Sequence, residues 1–190
     1  MRGSRRVLMV LFATVAIPSA LLASQQNPSK AVKPDTPSAT PPAARRVVTP
    51  AGTKDPFIGV WRLNPGKSTY ESGGAPTSFT RTYEDRGGGT IFMTTDVTVP
   101  QGSVRAFLVY RRDGKPYPEA AAGAEAIRMV AVDAVDRRTE DVYVIVDGKR
   151  SEKPNTITIA ADGMTMTQVV NVKNAKGQAF TNTVVYDKQL

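Results

Sequence analysis

The side chains most often used for catalysis and metal binding are missing from this sequence. Its 190 residues include no Cys and no His. There can therefore be no thiolate nucleophile, no Ser-His-Asp triad and no disulfide, and the commonest zinc ligand is absent. Any chemistry must use carboxylate, Tyr, Lys or Arg groups.

The carboxylates show neither the spacing of a catalytic pair nor that of a calcium-binding loop. Most of them flank Gly turns, where an Asp side chain stabilises the turn itself. The residues concerned are Glu84, Asp85, Asp133, Asp136, Glu140, Asp141 and Asp147. We therefore expect no enzyme, no catalytic residue, no cofactor and no metal site. An isomerase or lyase that uses carboxylate or Tyr groups is the less favoured alternative.

Two pairs of basic residues, Arg111–Arg112 and Arg137–Arg138, are candidates for an anion site. They would form one if they converged at one end of the fold. Each pair lies next to a turn, however, and a solvated turn end explains it without any partner. The interpretation as solvated turn ends is favoured.

The positive charge is concentrated at the start of the chain. The formal net charge is +8, and the first 56 residues contribute +6 of it through eight Lys or Arg and two acidic residues. A nearly neutral domain thus follows a basic leader. We expect no nucleic-acid partner.

The leader has the three-part pattern of an export signal. Three Arg residues precede the apolar run Val7–Ile17, which Pro18 ends before it reaches the length of a membrane span. We predict a cleaved signal peptide over residues 1–24 and a disordered linker rich in Pro, Ala, Ser and Thr over residues 25–55. The protein is then periplasmic or secreted, and touches the membrane only through the signal peptide before cleavage.

Residues 56–190 alternate apolar and polar side chains at the period of half-buried strands. Ile91, Met93 and Val97, for example, would share one face. Gly-containing turns separate the runs, which predicts an all-β antiparallel meander. Closure into an up-and-down barrel of about 8–10 strands would remove its two edges, and a β-sandwich is the alternative. Residues 118–126 are the one helical candidate.

The start of this domain reads FIGVWRLNPGKSTY over Phe57–Tyr70, with Gly59 and Trp61 in a Gly-Xaa-Trp motif. Later elements are DGKPYP at Asp113–Pro118, MTMT at Met164–Thr167 and VVY at Val184–Tyr186. Together, over about residues 55–189, they resemble a group of bacterial exported lipocalin-like proteins without an assigned function.

The resemblance implies a barrel with a cavity open at one end, in a class whose better-known members carry small apolar molecules. Trp61 would close the barrel floor under a basic residue, for which Arg81 and Lys188 are the candidates. The apolar faces could either line a ligand cavity or fill a core, and the sequence is compatible with both. The candidate lining is Ile91, Met93, Val97, Leu108, Met129, Val144, Met164 and Met166.

These patterns favour an exported, monomeric module of the bacterial envelope that binds a small apolar or amphipathic molecule. The alternative is a filled barrel that acts through a protein partner in the envelope.

Overall fold

The computed structural model describes residues 54–71, 74–122, 127–173 and 177–190. The predicted signal peptide and nearly all of the predicted linker lie outside these residues. Strands dominate the described part, with one short 3₁₀ helix at Pro65–Lys67. None of its helices is long and apolar enough to span a bilayer. The strands are β1 Gly59–Leu63, β2 Ser78–Asp85, β3 Ile91–Val99, β4 Gly102–Tyr110, β5 Asp113–Ala121, β6 Arg128–Ala134, β7 Thr139–Val146, β8 Lys149–Arg150, β9 Asn155–Ile159, β10 Thr165–Lys173 and β11 Ala179–Gln189.

Ten strands close into an antiparallel barrel. Each strand from β1 to β7 pairs with the next, β7 pairs with β9, and β9 to β11 lead back to β1. The short β8 pairs with Ile145 and Val146 of β7, beyond the end of β9. Closure gives each barrel strand two neighbours and removes the exposed edges. The prediction of a meander that closes into a barrel of about 8–10 strands is therefore confirmed.

The core lies inside the barrel because alternate side chains of each strand point inward. In β3 the buried residues are Ile91, Met93, Thr95 and Val97, and the residues between them are only partly buried. The two-residue period read from the sequence therefore separates the interior from the wet outer surface.

The predicted helix at residues 118–126 is wrong over residues 118–121, which belong to strand β5, Asp113–Ala121; residues 123–126 lie outside the described part of the chain. Tyr117, Glu119 and Ala121 are partly buried, while the residues between them are exposed. Pro118 has no N–H to continue a helix or a ladder, and the pairing of β5 with β4 is limited to Glu119–Ala121. Strand pairing on both sides outweighs the helical preference of Ala and Glu.

The barrel has two distinct ends. We call the end where β1, β3, β5, β7 and β10 begin the floor, and the end where they finish the top. The chain enters the described domain at the floor, since residues 54–58 lead directly into β1.

Candidate ligand site in the barrel interior

Trp61 closes the floor of the barrel. Its side chain is fully buried, and its indole Nε1 donates a hydrogen bond of 2.8 Å to the carbonyl oxygen of Phe57. The Lys188 Nζ lies 4.8 Å from the centre of the indole ring and donates to the carbonyl oxygen of Pro56 at 3.2 Å. Lys188, rather than Arg81, is thus the basic residue over Trp61.

Gly59 provides the space for this arrangement. Its φ is +135°, and a Cβ there would lie 2.9 Å from Cε of Lys188. A larger residue would meet both a strained backbone and the lysine. The Gly-Xaa-Trp motif is therefore a packing device of the floor.

A buried ion cluster completes the floor. Arg112 Nη1 lies 2.5 Å from Oδ2 of Asp55, and its Nε lies 2.7 Å from Oε2 of Glu140. The guanidinium also lies 4.3 Å from the centre of the Phe57 ring, and the Tyr110 hydroxyl donates to Glu140 at 3.4 Å. Glu140 is 1% exposed. We call Asp55, Phe57, Tyr110, Arg112 and Glu140 the floor cluster; it ties the start of the domain to β4 and β7.

Arg81 lies in the centre of the barrel and has weaker partners. It is 8% exposed, and its Nη1 donates to the Tyr83 hydroxyl at 3.4 Å. Its guanidinium lies 5.2 Å from the ring centre of Phe79 and 5.8 Å from that of Tyr186. Arg81 takes part in none of the ion pairs of the described residues, and no group there accepts a hydrogen bond from its Nε.

Arg81 nevertheless keeps its charge. Burial alone would lower its pKa, but the nearby phenol groups and the Glu140 carboxylate leave that pKa above its usual value. A guanidinium is charged at every physiological pH. The barrel thus holds a central cation that contacts no carboxylate of the described residues.

A cavity of about 30 Å³ lies beside Arg81. It holds one or two water molecules at most. Its lining combines charged, polar and apolar side chains: Arg81, Met93, Leu108, Tyr110, Glu119, Arg128, Val130, Val132, Glu140, Val142, Ile157 and Gln168. Such a lining suits an amphipathic molecule better than a purely apolar one.

A second guanidinium faces the same space. Arg128 pairs with Glu119, its cross-strand neighbour on β5. Burial and then the positive charge of Arg81 lower the pKa of Arg128 to about 10, whereas the Glu119 carboxylate favours the charged form. Arg128 is therefore charged at neutral pH. Two cations and the Glu119 and Glu140 carboxylates surround one small cavity.

A second cavity of about 30 Å³ lies nearer the top. Phe79, Val97 and Val184 contribute apolar walls, and Tyr70 and Asn182 add polar groups. Phe79 precedes Arg81 by one inward position on β2, so the second cavity lies above the first.

The predicted lining residues fall into three groups. Met93 and Leu108 line the central cavity, and Val97 lines the upper one. Ile91, Val144 and Met166 are buried but line neither of these two cavities.

Met129 and Met164 do not face the interior, which corrects the prediction for them. Met129 alternates with the buried Val130 and pairs with Ile145, so it lies on the outer face. Met164 lies in the turn before β10 and is 38% exposed. A one-residue change in register moves a side chain to the opposite face, and the turn signals alone do not set that register.

The sequence reasoning considered Arg81 only as a partner of Trp61, interpreted Glu140 as a turn carboxylate and did not name Gln168. One signal was present, because Arg81 lies midway between Phe79 and Tyr83 in a predicted strand and must share their face. Arg112 was also misread as part of a solvated turn end, although its side chain is 17% exposed and ion-paired. Arg111, its neighbour, does lie at the surface and donates to Thr90.

The described residues contain no group of three acidic side chains arranged to hold a metal ion.

Comparison with known proteins gives no family. No protein-family model and no curated protein matches the sequence. Solved structures with a similar fold include a redesigned β-barrel, with 12% identity and a TM-score of 0.41 over 71% of this chain and 93% of the other. Another is EF1p2_mFAP2b bound to DFHBI, with 11% identity and a TM-score of 0.39 over 70% of this chain and 94% of the other.

Proposed function

We propose that this chain is an exported module of the bacterial envelope that binds one small amphipathic molecule inside its barrel. The observation that carries the proposal is the mixed lining of the central cavity. Apolar walls from Met93, Leu108 and Ile157 meet the buried charges of Arg81 and Glu140 there. A barrel that served only as a filled scaffold would gain stability from apolar side chains at these positions.

The ligand must enlarge the space that it enters. The central and upper cavities each measure about 30 Å³, whereas pockets for typical small ligands measure roughly 300–1,000 Å³. Binding therefore displaces inward side chains. Phe79, which lines the upper cavity and lies one inward position from Arg81 on β2, is the first to move. Entry at the top leaves the ion-paired floor intact. The proposal assigns no catalytic step to the barrel.

Native mass spectrometry of the protein purified from its own host tests the proposal. Periplasmic and secreted fractions are examined separately, with solvent extraction of any bound compound. We expect a stoichiometric adduct that denaturation releases. Bare protein in every fraction, together with no binding of added amphiphiles, would contradict the proposal.

An apolar patch on the outer surface favours protein binding as a second candidate. Phe92 and Phe107 stack with their ring centres 6.3 Å apart, and Phe107 and Val109 are 38% and 51% exposed. Met129 lies between Pro118 and Ile145 on neighbouring strands. Apolar clusters of this kind mark contact surfaces when they are large enough. In-cell cross-linking, with Phe107→Asp as the variant, tests it: a specific cross-linked partner that the variant loses would support this role.

A further inference from the structure

Arg81 is an unusual charge to place in a barrel wall. A buried charge is costly unless an opposite charge lies in contact with it. The floor cluster follows that rule, since Arg112 contacts two carboxylates. Arg81 instead lies among aromatic rings and keeps an Nε with no acceptor among the described residues. The faces of Phe79 and Tyr186 offset only part of the lost hydration.

The strand register holds Arg81 at this position. Arg81 lies directly opposite Trp61 of β1 on one side and Thr95 of β3 on the other. Its backbone cannot move without opening both ladders. The guanidinium is therefore preorganised in the barrel, unlike an Arg on a surface loop.

A second unsatisfied polar group lies next to it. The Thr95 side chain is 4% exposed, and its Oγ1 has no hydrogen-bond partner in the part of the chain that the structure describes. Directly opposite residues on neighbouring strands have their Cβ atoms roughly 5 Å apart. One guanidinium Nε–H and one hydroxyl are thus free to donate to an acceptor on the same inner face.

The charges around the cavity select the type of anion. Glu119 and Glu140 line the same space as Arg81 and would repel a dianion such as a phosphate monoester. A single carboxylate matches the guanidinium of Arg81 and meets less repulsion from Glu119 and Glu140 than a dianion does. The apolar residues Met93, Leu108 and Ile157 then face the rest of the molecule.

We propose that Arg81 binds the carboxylate of a monocarboxylate amphiphile, with Thr95 as a second donor and with the hydrocarbon part directed past Phe79 toward the upper cavity. This inference rests on the proposed function and names the class of its ligand. It also gives a use to both cavities, since the upper one is lined mainly by apolar side chains such as Val97 and Val184.

Calorimetric titration with decanoate and with 1-decanol tests the inference, because the two probes share a chain and differ in charge. The full chain and its Arg81→Met variant are compared at pH 8. We expect decanoate to bind the wild-type protein roughly 10- to 100-fold more tightly than 1-decanol, and Arg81→Met to remove this preference. The control is Arg105→Met, since Arg105 is exposed and paired with Asp96 on the outer face of β4; it should leave both affinities unchanged.

A measurement on the wild-type protein covers the case in which Arg81→Met does not fold. The ¹⁵N resonance of the Arg81 Nε–H group is followed by NMR, and the charge-preserving Arg81→Lys variant assigns it. We expect decanoate to shift this resonance and 1-decanol to leave it in place. An Nε–H that responds to neither probe, while decanoate binds, would overturn the inference.

The outcomes separate the two proposals. Equal affinity for decanoate and 1-decanol, unchanged in Arg81→Met, would overturn the carboxylate site and leave the binding function standing. Failure of both probes to bind, with no adduct in the native protein, would overturn the function and the site together.

Discussion

The floor and the centre of this barrel differ in how they accommodate a buried arginine. Both bury an arginine, but Arg112 in the floor contacts Asp55 and Glu140, whereas Arg81 in the centre contacts no carboxylate of the described residues. The floor has the paired charges of a structural closure. The centre has a cation that contacts no carboxylate of the described residues, and a cavity beside it, which are costs to stability that a binding site explains.

Arg112→Met should cause the largest loss of stability. It removes one side of a buried ion cluster and leaves Asp55 and Glu140 without their partner, which costs about 3–5 kcal/mol in the free energy of unfolding. Urea unfolding followed by circular dichroism measures it. Arg105→Met is the control and should leave the unfolding midpoint unchanged, because its ion pair is exposed. A loss from Arg112→Met no larger than that of the control would show that the floor does not hold the barrel closed.

Trp61→Phe should destabilise the floor less. The change deletes the indole hydrogen bond to Phe57 and shrinks the ring beneath Lys188. We expect a loss of about 2 kcal/mol from the cavity and the missing bond. Thermal and urea unfolding measure it, and an unchanged affinity for decanoate would confirm that Trp61 serves the floor and not the ligand site.

Alkaline pH should weaken the centre through Tyr186. Burial raises the pKa of its hydroxyl, while Arg81 lowers it, and the result lies above the usual value of 10.0. A folded-state pKa above the unfolded one means that the stability is complete below pH 10 and is lost as the pH rises further. The loss is about 1.4 kcal/mol per pH unit for one tyrosine.

Comparison of the wild-type protein with Tyr186→Phe isolates this effect. The difference in their free energies of unfolding should shift by about 1 kcal/mol in favour of the variant between pH 10 and pH 11, because the unfolded tyrosine is already half ionised at pH 10. Tyr110 is the matching tyrosine in the floor cluster. Burial and the Glu140 carboxylate raise the pKa of its hydroxyl well above the usual value. A constant difference across this range would show that Tyr186 ionises normally in the fold.

Thr95→Val should give the smallest change and the opposite sign. Thr95 buries a hydroxyl with no partner among the described residues, so a methyl group of similar size should stabilise the protein by about 1 kcal/mol. Tyr110→Phe is the matched change in the floor and should destabilise it by about 1 kcal/mol, because the Tyr110 hydroxyl bonds to Glu140. Equal losses of stability in both variants would contradict the proposed difference between the floor and the centre.

The sequence by itself determined the fold class and the floor motif. Strict alternation over residues such as Ile91, Met93 and Val97 is a local property of the chain, and it requires a sheet with one buried face. Gly59 and Trp61 are adjacent enough along the chain to be recognised as one motif. The missing Cys and His residues likewise excluded whole classes of chemistry without any structure.

Only the tertiary structure decided how the charges pair. Asp55, Arg112 and Glu140 come from three distant segments, and closure of the barrel brings them together. The same closure leaves Arg81 without a carboxylate and turns Met129 to the outer surface. Periodicity fixes which residues can share a face within a strand, but contacts between strands depend on register and closure, which no single segment encodes.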